Sequence, residues 1–156
     1  MERIINIIIL IVLCFSSSCK KTGATSQVVC SNLLNRGVAD TVLFEGKWGF
    51  EYFAYTFDGN GITQNDSAHV LGYILFNNGV ISGTAMAGIK GSYNITSPNN
   101  LSIQAASTEY RELFKTEKRM QSALNNSLCY AVKNDTLLIH YTEDSNSKNV
   151  LILRRM

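Results

Sequence analysis

Along the chain, apolar positions fall into short runs with two different periods. Trp48, Phe50, Tyr52, Phe53, Tyr55 and Phe57 crowd residues 47–57, and aromatic residues gathered in so short a run favour a strand. Their phase changes near Tyr52-Phe53, which predicts a bulge. Asp58-Gly59-Asn60-Gly61 reads as a turn. A strand over 68–76 ends at Asn77-Asn78-Gly79. Asn-Gly between apolar runs predicts a tight hairpin, because both residues tolerate positive φ. Further strands are predicted over 80–87, 91–95 and 101–105, the last with clean alternation. The period then lengthens. Tyr110, Leu113, Phe114, Met120 and Leu124 recur near helical spacing, which predicts an amphipathic helix over 108–126. Ser107 or Thr108 would cap it, and Glu109 and Glu112 suit its positive end. Asn125-Asn126 ends it. Strands over 127–133, 136–142 and 149–155 close the chain, with Asn134-Asp135 as the first turn between them. Residues 20–38 show no clear period. The fold class expected is mainly β: a single antiparallel sheet curled into an open or closed barrel, with one amphipathic helix packed over an opening or face.

The beginning of the chain obeys another logic. Met1-Glu2-Arg3 runs straight into an apolar stretch over 4–13, followed by Cys14-Phe15-Ser16-Ser17-Ser18-Cys19. The stretch is shorter than the roughly twenty apolar residues of a permanent membrane-spanning helix, and its layout is that of a signal peptide. Small residues before Cys19 resemble the lipobox of bacterial lipoproteins, in the relaxed form found in Bacteroidota, with Ser16 where Leu is usual. That resemblance implies cleavage before Cys19 and acylation of its thiol. Cys14 is the weaker candidate, because bulky Leu13 precedes it. A plain cleaved signal peptide is the competing assignment. The organisation expected is a signal peptide over 1–18, a lipid-anchored tether and lead-in over 19–40, and a β-rich domain over 41–156.

Composition narrows the function. The chain has 156 residues, one proline and a net charge of +2, enough length for one domain with its own core. Removing residues 1–18 takes away Glu2 and Arg3 together and leaves that charge unchanged. So small and dispersed a charge does not make a nucleic-acid surface. Loss of Cys14 and acylation of Cys19 would leave Cys30 and Cys129, an even pair in a compartment that permits disulfides. Either they are bridged or they are two separate small apolar side chains.

From about Leu75 onward the order of features resembles the META domain, the family of the heat-shock lipoprotein HslJ. The matching segments are Phe76-Asn77-Asn78-Gly79-Val80-Ile81-Ser82-Gly83, Gly91-Ser92-Tyr93-Asn94-Ile95, Leu101-Ser102-Ile103, Thr108, Ala123-Leu124, Tyr130-Ala131-Val132, Asn134-Asp135-Thr136-Leu137-Leu138-Ile139 and Val150-Leu151-Ile152-Leu153-Arg154. Trp48 stands where the family's opening strand has its tryptophan. The family usually carries a Gly-Cys-Asn segment and a second cysteine before the helix. Here Thr84-Ala85-Met86-Ala87-Gly88 and Ser107-Thr108-Glu109-Tyr110 occupy those places, so chemistry using that cysteine pair is not implied. Asp40-Thr41-Val42, Asp66-Ser67-Ala68 and Asp135-Thr136-Leu137 resemble the short O-glycosylation signal of Bacteroidota periplasmic proteins, which makes Thr41, Ser67 and Thr136 candidate modification sites.

Candidate catalytic groups do not converge. The stretch from Gly83 to Ser92 looks like a phosphate loop, but Lys90 falls one place late and a strand begins where a helix is needed. His69 and His140 sit in different strands without ligand partners at metal spacing, so no metal is expected. Asp66, Ser67 and His69 hold the residue types of a triad, but adjacent residues of extended chain point to alternate faces, so Asp66 and Ser67 cannot converge on His69 in triad geometry. Glu109, Glu112 and Glu117 among Arg111, Lys115, Lys118 and Arg119 are better explained by intrahelical ion pairs. Trp48, Tyr52, Phe53, Tyr55 and Tyr73 are the candidates for a ligand- or partner-contacting surface, with core and sheet-face packing the favoured alternative. The expectation is a non-catalytic, lipid-anchored protein of META-like type at the outer membrane, using no cofactor and acting in envelope maintenance or stress tolerance through protein contacts. The rival is a lipocalin-like carrier of an apolar ligand, since lipocalins also begin with a glycine-tryptophan strand.

Overall fold

The computed structural model describes residues 24–57, 62–66, 72–86, 88–96, 98–143 and 148–156. They form nine strands and three helices: α1 (Ala24–Arg36), α2 (Thr41–Phe44), β1 (Gly46–Phe57), β2 (Ile62–Asp66), β3 (Tyr73–Asn77), β4 (Val80–Gly83), β5 (Ile89–Thr96), β6 (Asn100–Ser107), α3 (Lys115–Asn125), β7 (Ser127–Lys133), β8 (Thr136–Tyr141) and β9 (Asn149–Arg155). All pairings are antiparallel and keep chain order from β3 to β9. Pairing of β9 with β1 closes an eight-stranded barrel, and β2 adds to the free end of β1. Closure leaves the barrel itself without an open edge of the kind that invites aggregation, and β2, paired on one side only, remains an edge strand among the described residues.

Local chemistry explains the corners. Asn78 and Gly79 both have positive φ, 49° and 79°, as the two-residue hairpin between β3 and β4 requires. At Gly91 an added Cβ would lie 1.9 Å from the Gln104 carbonyl oxygen, so the bend of β5 against β6 admits only glycine. The bulge in β1 falls at Glu51, where Phe50 pairs with Leu153 and Tyr52 already pairs with Ile152. This brings Phe50 and Phe53 onto one face, 4.9 Å apart.

Two apolar layers result. Trp48, Phe53, Phe76, Ile81, Ile103, Tyr130, Ile139, Tyr141, Leu151 and their neighbours fill the barrel, together with Phe44 of α2 and Met120, Ala123 and Leu124 of α3. Outside the wall, Val29 and Leu33 of α1 pack on Ala54, Cys129, Ala131, Leu138, Val150 and Ile152.

Several expectations change. Residues 20–38, without a readable period, contain α1 from Ala24 onward. The strand expected over 80–87 stops at Gly83, because the chain leaves the sheet through Met86 and Gly88, both at positive φ. The helix expected from 108 begins at Lys115. There Glu117 accepts a 2.7 Å hydrogen bond from the Phe114 amide, and residues 108–114 run outside the helix. The ion pairs Arg111–Glu117 and Lys118–Glu112 therefore join this segment to α3 and are not intrahelical. The glycine stretch at 83–91 leads directly into β5, so it lacks the helix N-terminus that a phosphate loop needs. The strand expected over 68–76 is described only from Gly72, with β3 over Tyr73–Asn77; its earlier part lies outside the described residues.

Candidate functional site: a cross-linked helix and two plugged rims

The rim carrying the β3–β4, β5–β6 and β7–β8 turns is closed by α2. Asp40 caps this helix, accepting from the Val42 and Leu43 amides at 2.8 and 3.2 Å. The cap aims Phe44 into the barrel, where its ring lies 4.6 Å from Phe76, 4.8 Å from Tyr130 and 5.2 Å from Tyr93. The Trp48 indole N–H donates to the Phe44 carbonyl at 2.8 Å. Above that indole sits the Arg155 guanidinium, 4.3 Å from the ring centre, which also donates to the Leu43 and Glu45 carbonyls. The Glu45 carboxylate accepts from the Tyr93 hydroxyl at 2.8 Å and the Asn78 amide at 3.0 Å. Burial pushes the Tyr93 phenol up to about 12, so it stays a donor at physiological pH. Cation and ring, cap and carboxylate all serve to hold a closure in place here.

The opposite rim is closed by α3. Its Asn125 side chain accepts from the Ala105 amide at 2.7 Å and donates to the Ala105 carbonyl at 3.0 Å. These are the two bonds a neighbouring strand would supply, and they matter because β6 and β7 share one register pair, Asn100 with Cys129. Arg119 spans the Phe53 ring at 4.5 Å and the Tyr55 ring at 4.3 Å, with Glu143 3.8 Å away. The Tyr141 phenol is pushed up to about 12 by burial, against the opposing field of Arg119.

Outside the wall, Cys30 and Cys129 form a disulfide with S–S 2.01 Å and Cα–Cα 5.9 Å. It fastens α1 to β7, and the Asn99 amide group donates to the carbonyls of both Cys30 and Tyr130. His140 pairs in register with Cys129 and shares the outward face of Leu138 under this layer. It is fully buried, and its Nδ1 lies 2.8 Å from the Asn149 carbonyl oxygen. Burial lowers its pKa below the ordinary imidazole value, with that hydrogen bond acting the other way.

The candidate aromatic surface is divided among different places. Trp48 and Phe53 are interior residues. Half-buried Tyr52 packs outside beside Cys30, Tyr55 lies against Arg119, and the ring of Tyr73 lies 4.0 Å below the Lys47 ammonium. These five residues therefore do not make one surface. Thr41 is exposed at the start of α2 and Thr136 is half-buried, while Cys19, Ser67 and His69 lie outside the described residues. Among the described residues no three of His, Cys, Asp or Glu come together as a metal site. A shallow, largely apolar depression of about 630 Å³ lies over β4–β6, lined by Val80, Lys90, Ile103, Gln104 and Asn125. Sequence reasoning missed α2 and the Asn125 clasp. Asp40 ahead of Thr41-Val42-Leu43 was a usable capping signal for α2; nothing local marks Asn125 as more than a helix stop.

The class defined by this geometry is the small closed antiparallel barrel with a side-chain-filled interior. No family model matches the chain, and no curated protein matches it. Among solved structures, the fold is similar to that of a DUF4847 family protein from Bacteroides vulgatus, with a TM-score of 0.59 at 14% identity over 74% of this chain and 95% of that one. At that identity the likeness concerns the fold alone.

Proposed function

We propose that the chain is a lipid-anchored, non-catalytic protein of the cell envelope, of META-like type, working in envelope maintenance or stress tolerance through protein contacts on the outside of a filled barrel. The observation that carries this reading is the covalent fastening of α1 to β7 by Cys30–Cys129. Such bridges persist in oxidising compartments, where a leader ending at Cys19 would deliver the chain. The segments that resemble META fall in order on the β3–β4 hairpin, β5, β6, α3, β7, β8 and β9, which suits that assignment. Interior positions occupied by Trp48, Phe53, Phe76, Met120 and Leu124 favour action from the outer surface over storage of a ligand inside.

A second reading, a lipocalin-like carrier, draws support from the closed eight-stranded barrel and from Lys47-Trp48-Gly49 in its first strand. Fractionation of host cells and native mass spectrometry of the released protein separate the two. The wild type is expected in the membrane fraction with an acylated N-terminal Cys19 and no stoichiometric small molecule, and the Cys19→Ser protein in the soluble fraction. A Cys19→Ser protein still membrane-bound after salt washing would remove the anchor. A bound apolar ligand at one per chain would replace this reading with the carrier.

A further inference from the structure

Two large rings stand out on the rim closed by α3. Tyr110 is fully exposed and Phe114 is 71% exposed, although the surrounding segment is tightly held. Arg111 bonds Glu117 at 2.6 Å and Glu109 at 3.0 Å, Lys118 bonds Glu112 at 2.6 Å, and the Arg111 guanidinium covers one face of the Phe114 ring at 4.8 Å. Neither ring packs into the barrel core, so both are available to a contact outside the chain.

The course of α1 indicates what that surface meets. Cys30 is bonded to Cys129, and just past the end of the helix Gly37 lies against Val132, so α1 advances along β7 from Cys129 toward Val132 before the chain turns back at the antiparallel Val38–Val132 bridge. Six residues back from Cys30, about 9 Å of helix, Ala24 reaches the level of Ser127, at the rim that carries Tyr110 and Phe114. Five peptide steps then separate Ala24 from Cys19, a reach of at most about 18 Å. A lipid on Cys19 would enter the bilayer within that reach of the start of α1, which lies on the side of this rim.

We propose that Tyr110 and Phe114 dock the barrel onto the membrane beside its own anchor, their rings at the boundary of headgroups and acyl chains. The inference rests on the lipid-anchored reading above. Aromatic rings settle at that depth because it offers apolar contact and water together. Around the rings, Glu109, Glu112 and Glu117 balance Arg111, Lys115 and Lys118, so the ring contact itself carries no net charge.

The test uses the full acylated chain on vesicles of phosphatidylethanolamine and phosphatidylglycerol with brominated acyl chains, which quench indoles at that depth. The native Trp48 is buried at the other rim and supplies an unquenched background. Separate Phe114→Trp and Tyr110→Trp variants are expected to lose about half of the added emission, consistent with side chains some 5–10 Å into the interface. A Val80→Trp variant, placed at the exposed start of β4 on the α2 rim, is expected to lose none. If the protein floats with the vesicles but both α3-rim indoles emit undiminished, docking is overturned while the anchor stands, and the rings serve a protein partner or a second copy. Should the chain fail to float and its mass show an unmodified Cys19, the anchor reading fails and docking falls with it.

Discussion

Along β6 buried and exposed side chains alternate residue by residue, and along β5 half-buried and exposed ones alternate after buried Ile89, whereas β8 and β9 each bury five residues in succession. Both walls belong to one barrel and share its interior. The difference lies outside: β4–β6 turn Lys90, Gln104 and Ala106 toward solvent, while β7–β9 and β1 carry α1, pinned by the disulfide. A strand covered on both faces needs apolar residues at every position, and one covered on a single face needs them at every second. The outer layer is thus a second core, made by a helix that sequence periodicity did not reveal.

The largest test of the contrast is to cut the cross-link. Cys129→Ser is expected to destabilise the protein by about 4–5 kcal/mol, the loop-closure value for some hundred residues, as read by urea unfolding. If the midpoint hardly moves, docking of α1 adds little to the barrel. Leu33→Ala removes one fully buried side chain of the outer layer and is expected to cost about 3 kcal/mol. A cost near zero would mean that α1 and the wall beneath it do not form a packed layer.

His140 gives a pH signature to the covered wall alone. Its folded-state pKa lies below the ordinary value because burial penalises the charged form, while in the unfolded chain it stays near 6.5. As pH falls, the unfolded chain takes up the proton first. Stability is therefore unaffected above about pH 6.5 and drops below it, by at most about 1.4 kcal/mol per pH unit, until the folded-state pKa is passed. Glu112 and Glu117 have lowered pKa values, held down chiefly by hydrogen bonds from Lys118 and Arg111, and act at more acid pH. Between pH 7 and 5 a His140→Leu protein is expected to lose this slope; a slope equal to the wild type's would assign it elsewhere. The smallest effect belongs to the open wall. Lys90→Ala or Gln104→Ala is expected to shift stability by less than about 0.5 kcal/mol, and a loss comparable to that of Leu33→Ala would erase the distinction between the walls.

Legibility in the sequence also divides between the two walls. The strands from 100 to 155 could be read because alternation or unbroken apolar runs bounded by Asn-rich turns leave few other assignments. Helix α1 was not readable: among its described side chains Val29 and Leu33 are buried and Cys30 is half-buried, and what holds it lies about a hundred residues away. Tyr110 and Phe114 misled for a related reason. Their spacing is helical, but Glu117 stops the helix at Lys115, so neither ring shares the inward face of Met120 and Leu124. The cysteine pair was legible as a candidate, by parity once Cys14 and Cys19 are set aside, but the sequence left bridged and separate states open; the Asn125 clasp depends on β6 and β7 separating, which no local pattern encodes.

That separation shapes how the molecule opens. The Ala105 amide is held by one side chain of α3, while amides in β8 lie between two complete ladders. In hydrogen exchange, Ala105 accordingly reports the lifting of a single helix, and β8 reports loss of the whole structure. The meeting line of β6 and β7 is where this otherwise seamless cylinder breathes.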